Sequence, residues 1–314
     1  MDLAIVRIKC ILYNKIDEKC NVASLFDFDP DSEASKTMTH SAILLCAGYA
    51  TRMYPLTFNF PKPLLPVAGK ALLDYLMEQL LCLSGISGIH VVTNDRYFAH
   101  FQQWRNRWLS RLSGSIQLRI HNDGTRQPRE RLGAVADLKW FLDRAAPPGR
   151  LLVAAGDNIF DFDLAPLWHR WLEEDVHRVI ALSEVRRERL KKTAVLRIDQ
   201  RGRVKQLLEK PSRPISNLCC PPLYFLLPSA ADEMVNYLNG GGNRDALGSW
   251  MDHLSQCQPV YAWKLMAGRW EIGSIDSYRE AEAQIVQGMV VGEPLITRAD
   301  PHSRSKSPRG CRSI

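Results

Sequence analysis

The 314-residue chain has no Cys-x-x-Cys pair, no apolar run of membrane-spanning length, no cluster of basic residues with interleaved aromatics and no internal repeat. Each absence removes a class of function. The eight cysteines (Cys10, Cys20, Cys46, Cys82, Cys219, Cys220, Cys257 and Cys311) have no companion histidines at zinc-finger distances. They read as structural or incidental thiols of a reduced, cytoplasmic chain. The most apolar N-terminal stretch, "LAIVRIKCILY", is broken by Arg7 and Lys9 and lacks a small-residue cleavage site. Neither a membrane segment nor a secretory leader is expected. The formal charge of +7 is spread thinly. The first forty residues hold five Lys/Arg against seven Asp/Glu, and those after Gln287 hold five against two, so the middle carries +6. Such an excess suits anionic small molecules rather than nucleic acid. His90, His169 and His177 pair with no Ser or Cys in a triad-like pattern.

What remains is an alternation. Residues 1–37 are acidic and weakly periodic, and are expected to be a poorly ordered extension or a mis-assigned start, with Met38 directly ahead of the periodic chain. Residues 288–314 read as a disordered basic tail. Between them, strand-like runs ("AILLC", "GIHVVTN", "SIQLRIHN", "RLLVAAGDN") alternate with helix-like segments ("ALLDYLMEQLLCLSG", "YFAHFQQWRNRWLSRL", "RLGAVADLKWFLDRA"). This spacing predicts an α/β domain over 38–287: a doubly wound, mostly parallel, Rossmann-like sheet with helices on both faces. Ligands then gather at the carboxyl ends of its strands. The second half is less regular, with consecutive strands, a turn at "DQRG" and a closing helix capped by Ser274 or Asp276. Trp104, Trp108 and Trp140 fall at helical spacing and read as core.

The stretch "ILLCAGYATRMYPLTFNFPKPLLPV" ends a buried strand in a glycine turn and follows it with two cations. It matches neither G-x-G-x-x-G nor the P-loop pattern. Gly48 allows backbone amides to turn toward an anion. Arg52 supplies a planar fork and Lys62 a compact point charge, while Pro55, Pro61, Pro63 and Pro66 restrict the loop. A stiff loop with two cations at a strand's carboxyl end is suited to gripping a polyphosphate. "AAGDN" places Asp157 at the end of another buried strand, as a turn cap or as an oxygen ligand.

These residues resemble the sugar-1-phosphate nucleotidyltransferases. The likeness runs from Ser41 to Gln287 through "RLGAVADL", "LLVAAGDNIF", "LLEKPSRP", "DALGSW" and "GRWEIGSIDSYREA". It implies nucleotide binding at Ala47, Gly48 and Gly133; in the loop just ahead of Gly133, Asn122 or Gln127 is a candidate, by its amide group, to read the base edge, against the plain reading of solvated loop residues. The resemblance puts Arg52 on the leaving end of the triphosphate, Lys62 and Lys210 on the reacting phosphates, Lys210 on the phosphate and Glu209 on the hydroxyls of the sugar phosphate, and Asp157 with Glu271 on Mg²⁺. The substrates implied are an NTP and a sugar 1-phosphate, and a homo-oligomer is compatible with the family. The form "GDNIF" is similar to the thymidylyltransferase branch and points to a pyrimidine nucleotide. Two departures stand out. Glu271 occupies a position where aspartate is usual, and Pro221–Pro222 replaces a glycine before the strand that lines the sugar. They leave two alternatives: a cytidylyltransferase acting on phosphocholine or another alcohol phosphate, and a regulatory homologue that binds nucleotide sugar without catalysis.

Overall fold

The run His40–Leu45 (β1) is buried along its whole length, and a strand with no polar face must be covered on both sides. The computed structural model describes residues 39–287 except 113 and 148; the expectations for residues 1–37 and 288–314, and for Cys10, Cys20 and Cys311, lie outside them. A two-residue ribbon, Pro66–Val67 (β2) against Lys70–Ala71 (β3), precedes helix Leu72–Leu80 (α1). Then come Ile86–Thr93 (β4), helix Phe98–Leu109 (α2), Gln117–Asn122 (β5), helix Ala134–Ala145 (α3) and Leu151–Ala155 (β6). β1 lies between β4 and β6, parallel to both, and β5 extends the parallel array beyond β4. Ala42 and Leu44 pack with Leu73, Leu76, Phe101 and Trp104 from α1 and α2. Ile43 and Leu45 point to the opposite face, into the core of Val135, Leu138 and Phe141 from α3. Both faces are covered by helices, as the alternating pattern predicts.

The second half departs from it. Asn158–Phe160 (β7), helix Ala165–Leu172 (α4), His177–Ser183 (β8), the short helix Arg187–Leu190 (α5), Ala194–Ile198 (β9), Val204–Leu208 (β10), Leu218–Cys220 (β11) and Leu223–Leu226 (β12) follow in order. Helices Ala230–Asn239 (α6) and Leu247–Cys257 (α7), strands Val260–Leu265 (β13) and Arg269–Glu271 (β14), and helix Ile275–Val286 (α8) complete the described chain. The ten-stranded sheet has the order β10-β9-β11-β8-β12-β6-β1-β4-β5, with β13 also on β8. Four of its nine pairings are parallel and five antiparallel. The sheet is therefore mixed, and the expectation of a mostly parallel one is corrected.

The cause is connection length. β9 and β10 are joined only by residues 199–203, too few for the crossover a parallel pair requires. β11 and β12 both run against β8, pairing Cys219 with Leu182 but Tyr224 with Val179. The two extra residues between these registers include Pro221 and Pro222, which cannot donate to a ladder, so one long strand becomes two. Trp104 and Trp108 are core and share Asp74 Oδ1 as acceptor at 2.7 and 2.8 Å, whereas Trp140 is only half-buried. Ser274, not Asp276, caps α8 through the Ser277 amide. Helix α7, with Leu247, Trp250, Met251 and Leu254 buried, is an element the sequence reading does not include. Cys46, Cys219, Cys220 and Cys257 are free thiols. No described helix is long and apolar enough to cross a membrane.

Candidate active site

β1 and β6 end side by side, with Leu45 opposite Ala155, and the chain leaves both at the same end of the sheet. After β1, residues 47–57 are pinned by side chains from elsewhere. Asn94 donates to the Ala47 carbonyl at 2.9 Å, and the buried Tyr49 donates its hydroxyl to Thr125 at 3.0 Å. Thr57 donates to the Ala50 carbonyl at 2.8 Å and is itself held by Tyr97 at 2.7 Å. The loop is thus fixed by hydrogen bonds as well as by prolines. Its left-handed residue is Ala50 (φ 48°), not Gly48. A Cβ at Gly48 would meet no atom within 4 Å, so neither backbone nor packing demands glycine and the space beside it is open to a ligand. Arg52, on the turn Thr51–Met53, is exposed.

Lys62 starts a second turn, and its Nζ lies 2.6 Å from Asp157 Oδ2, a contact spanning 95 residues of sequence. Asp157 follows β6 directly, and its other oxygen accepts from Asn158 at 2.7 Å. Burial raises the pKa of this carboxyl, but the charge and hydrogen bond of Lys62, with Arg269 behind it, hold it below the usual carboxylate range. β7 and β14 form a small antiparallel sheet that sets Glu271 opposite Asn158, and the Ile272 amide donates to the Asp157 carbonyl at 3.1 Å. Asp157 and Glu271 are thereby neighbours across two strands.

Arg269, nine-tenths buried, ties this cluster together, although the sequence reading does not single it out. It donates to Asn158 Oδ1 at 3.1 Å and to Thr193 Oγ1 at 2.6 Å, and its Nη2 lies 3.1 Å from Glu271 Oε2. Thr193 in turn accepts the Lys210 amide on its carbonyl at 3.2 Å. Lys210 takes a left-handed φ of 45°, with its side chain 60% exposed and its Nζ 3.4 Å from Glu209 Oε1. Glu209 Oε2 accepts the Gly248 amide of α7 at 3.0 Å. A cavity of ≈ 430 Å³ opens here, lined by Glu209, Pro211, Ser212, Arg213, Ser249 and Asp252. Lys62, Asp157, Glu271 and Lys210 are linked through one network.

The residues assigned to the base stand differently. Asn122 donates to Asp95 at 2.7 Å and accepts the Gly124 amide, and Gln127 donates to Glu130. Both are committed to local bonds, and they flank Thr125, the partner of Tyr49. Gly133 (φ +98°) caps α3, and a Cβ there would lie 2.6 Å from the Arg244 carbonyl oxygen. Close approach of that backbone is sufficient reason for glycine. Beneath this region, Asp137 of α3 is buried beside Asp123; burial first, and the Asp123 charge second, push its carboxyl up to about 8. Nothing in "LGAVADL" distinguishes that aspartate as buried.

The Nucleotidyl transferase family profile matches residues 41–288, which include every site residue above. The chain belongs to the nucleotidyl transferase family. Among relatives of this family, it is 31% identical over 183 residues to the bifunctional protein GlmU of Methanococcus aeolicus, covering 58% of this chain and 39% of that one. It is 27% identical over 255 residues to a UTP–glucose-1-phosphate uridylyltransferase of Staphylococcus epidermidis, covering 74% and 87%. The chain therefore spans well under half of the GlmU relative and most of the uridylyltransferase. In fold it is similar to a UDP-glucose pyrophosphorylase complexed with UDP-glucose (TM-score 0.68, 18% identity, 80% of this chain and 99% of that one). A UTP-bound enzyme of that type from Acinetobacter baumannii gives a TM-score of 0.63 at 17% identity, over 81% and 96%. This nucleotidyl transferase domain keeps the sugar-1-phosphate nucleotidyltransferase fold with a mixed sheet.

Proposed function

We propose that this chain transfers a nucleotidyl group from an NTP to a sugar 1-phosphate, in one in-line step. A phosphate oxygen of the sugar phosphate bonds to the α-phosphorus as the α–β bridge breaks, and pyrophosphate leaves. The observation that carries this reading is the Lys62–Asp157 contact at the adjoining ends of β1 and β6, beside the open space at Gly48. It supports the reading by bringing a cation and a carboxylate together beside the loop that follows β1. Both substrates are anions, so catalysis here consists of positioning and charge neutralisation. The exposed Arg52 grips the leaving phosphates as a fork. Lys62 holds a fixed positive charge beside the reacting phosphorus, and Lys210 with Glu209 orients the sugar phosphate at the mouth of the cavity.

The donor set fits Mg²⁺. Asp157, in the turn just before β7, and Glu271, on the neighbouring β14, are hard oxygen donors, each with one oxygen held by a cation and the other free of one. Bound there, the ion would neutralise charge on the phosphate oxygens. Pyrophosphate release from a panel of NTPs and sugar 1-phosphates tests the activity and names the base and sugar. With the active pair, Asp157→Asn lowers kcat by at least about 100-fold while the thermal melt stays cooperative. Turnover near wild type in that variant removes Asp157 from the metal site.

A further inference from the structure

Away from this site, α6 and α7 bring together three side chains of a different chemistry. His253 and Cys257 stand one turn apart on α7 and so share a face. Glu233 reaches that face from α6. His253 Nε2 lies 3.6 Å from Glu233 Oε2 and 3.7 Å from Cys257 Sγ, and the three donor atoms fall within 4.8 Å of one another. For a tetrahedral zinc ion, bond lengths near 2.0–2.3 Å put neighbouring ligand atoms about 3.4 to 3.6 Å apart. The two separations from His253 are already within a few tenths of an ångström of those edges. The His253 ring packs on Tyr237, with centroids 5.4 Å apart, which limits its rotation.

We propose that Glu233, His253 and Cys257 form a binding site for a divalent transition-metal ion of the zinc class. One thiolate, one imidazole and one carboxylate suit zinc or cobalt and not magnesium, which prefers oxygen alone. Cys257 is exposed, so water completes the fourth position. The ion joins α6 to α7. The same helix donates the Gly248 amide to Glu209, and its Asp252 accepts the Leu207 amide at 2.6 Å. Fixing α7 thus steadies the segment that carries Glu209 and Lys210.

Cobalt(II) is the probe, added to the full-length reduced protein in excess Mg²⁺, which saturates oxygen-only sites. The expected result is one equivalent bound, with the visible bands of a tetrahedral ion and a near-ultraviolet thiolate charge-transfer band, both erased by Zn²⁺. Cys257→Ser removes the charge-transfer band, and His253→Ala weakens binding by at least tenfold. Cys257 is exposed and His253 half-buried, and an unaltered circular dichroism spectrum shows that the variants fold. A wild-type spectrum without the thiolate band, or a band that survives in Cys257→Ser, overturns the proposal.

Discussion

Arg269 spends one guanidinium on Asn158, Thr193 and Glu271, groups drawn from three separate segments. Removing it leaves a carboxylate and two neutral groups short of a partner, so Arg269→Met destabilises the protein by about 1–3 kcal/mol and lowers kcat/KM; urea melts and steady-state kinetics check both. The same contact decides how Glu271 should be read. Its Oε2 is held by Arg269 at 3.1 Å, and shortening the side chain by one methylene draws the carboxylate away. Glu271→Asp therefore lowers the rate of pyrophosphate release, and a gain in rate would mean that the site is a degraded aspartate site instead. Lys62 and Asp157 are legible in the sequence because each sits in a local signature, a Pro-Lys-Pro turn and a strand-ending Gly-Asp. Arg269 and Thr193 are not. Their contact spans 76 residues, and no local pattern announces it.

Among the elements, α7 has the clearest functional consequence. A Cβ at Gly248 would lie 2.4 Å from Glu209 Oε2, 2.9 Å from Leu207 Cδ2 and 3.0 Å from Ala194 Cβ, so Glu209 must swing aside and the buried packing beside it must also give. Gly248→Ala accordingly lowers the melting temperature through overpacking and also raises KM for the sugar phosphate, by between about 10- and 100-fold; an unchanged KM in the folded variant separates Glu209 from that substrate. The parallel half of the sheet is readable because each strand-helix-strand unit is contiguous and the fully apolar β1 demands cover on both faces. The antiparallel half is less so. Hairpins such as β9–β10 can be read from "DQRG", yet which strand they join depends on β8, which pairs with β11, β12 and β13.

For the whole molecule, buried titratable groups shape stability against pH. His90 and His121 share a hydrogen bond at 3.0 Å across β4 and β5, and burial lowers both, His90 to about 4. Burial also lowers His40 and His177. The unfolded chain binds these protons near pH 6.5 and the folded one does not, so stability is lost as pH falls below that value. Asp137 acts in the opposite sense, since folded it keeps its proton up to about pH 8 whereas the unfolded carboxyl gives it up near 4. Its contribution therefore declines over the whole span from about pH 4 to about 8, and above 6.5, where the histidines no longer offset it, stability falls by roughly 2 kcal/mol by pH 8. Urea midpoints at pH 5, 6.5 and 8 should show a maximum near 6.5, and Asp137→Asn should abolish the decline from 6.5 to 8 and steepen the rise from 5 to 6.5. The sequence by itself determined the α/β class, the two-sided burial of β1 and the cations of the loop that follows it, because those follow from periodicity and from neighbours in the chain. Only the tertiary structure decided the mixed sheet, the Arg269 network, the buried Asp137 and the Glu233–His253–Cys257 cluster. Each depends on how distant segments pack, and burial or charge at a contact is set by the partner that arrives there.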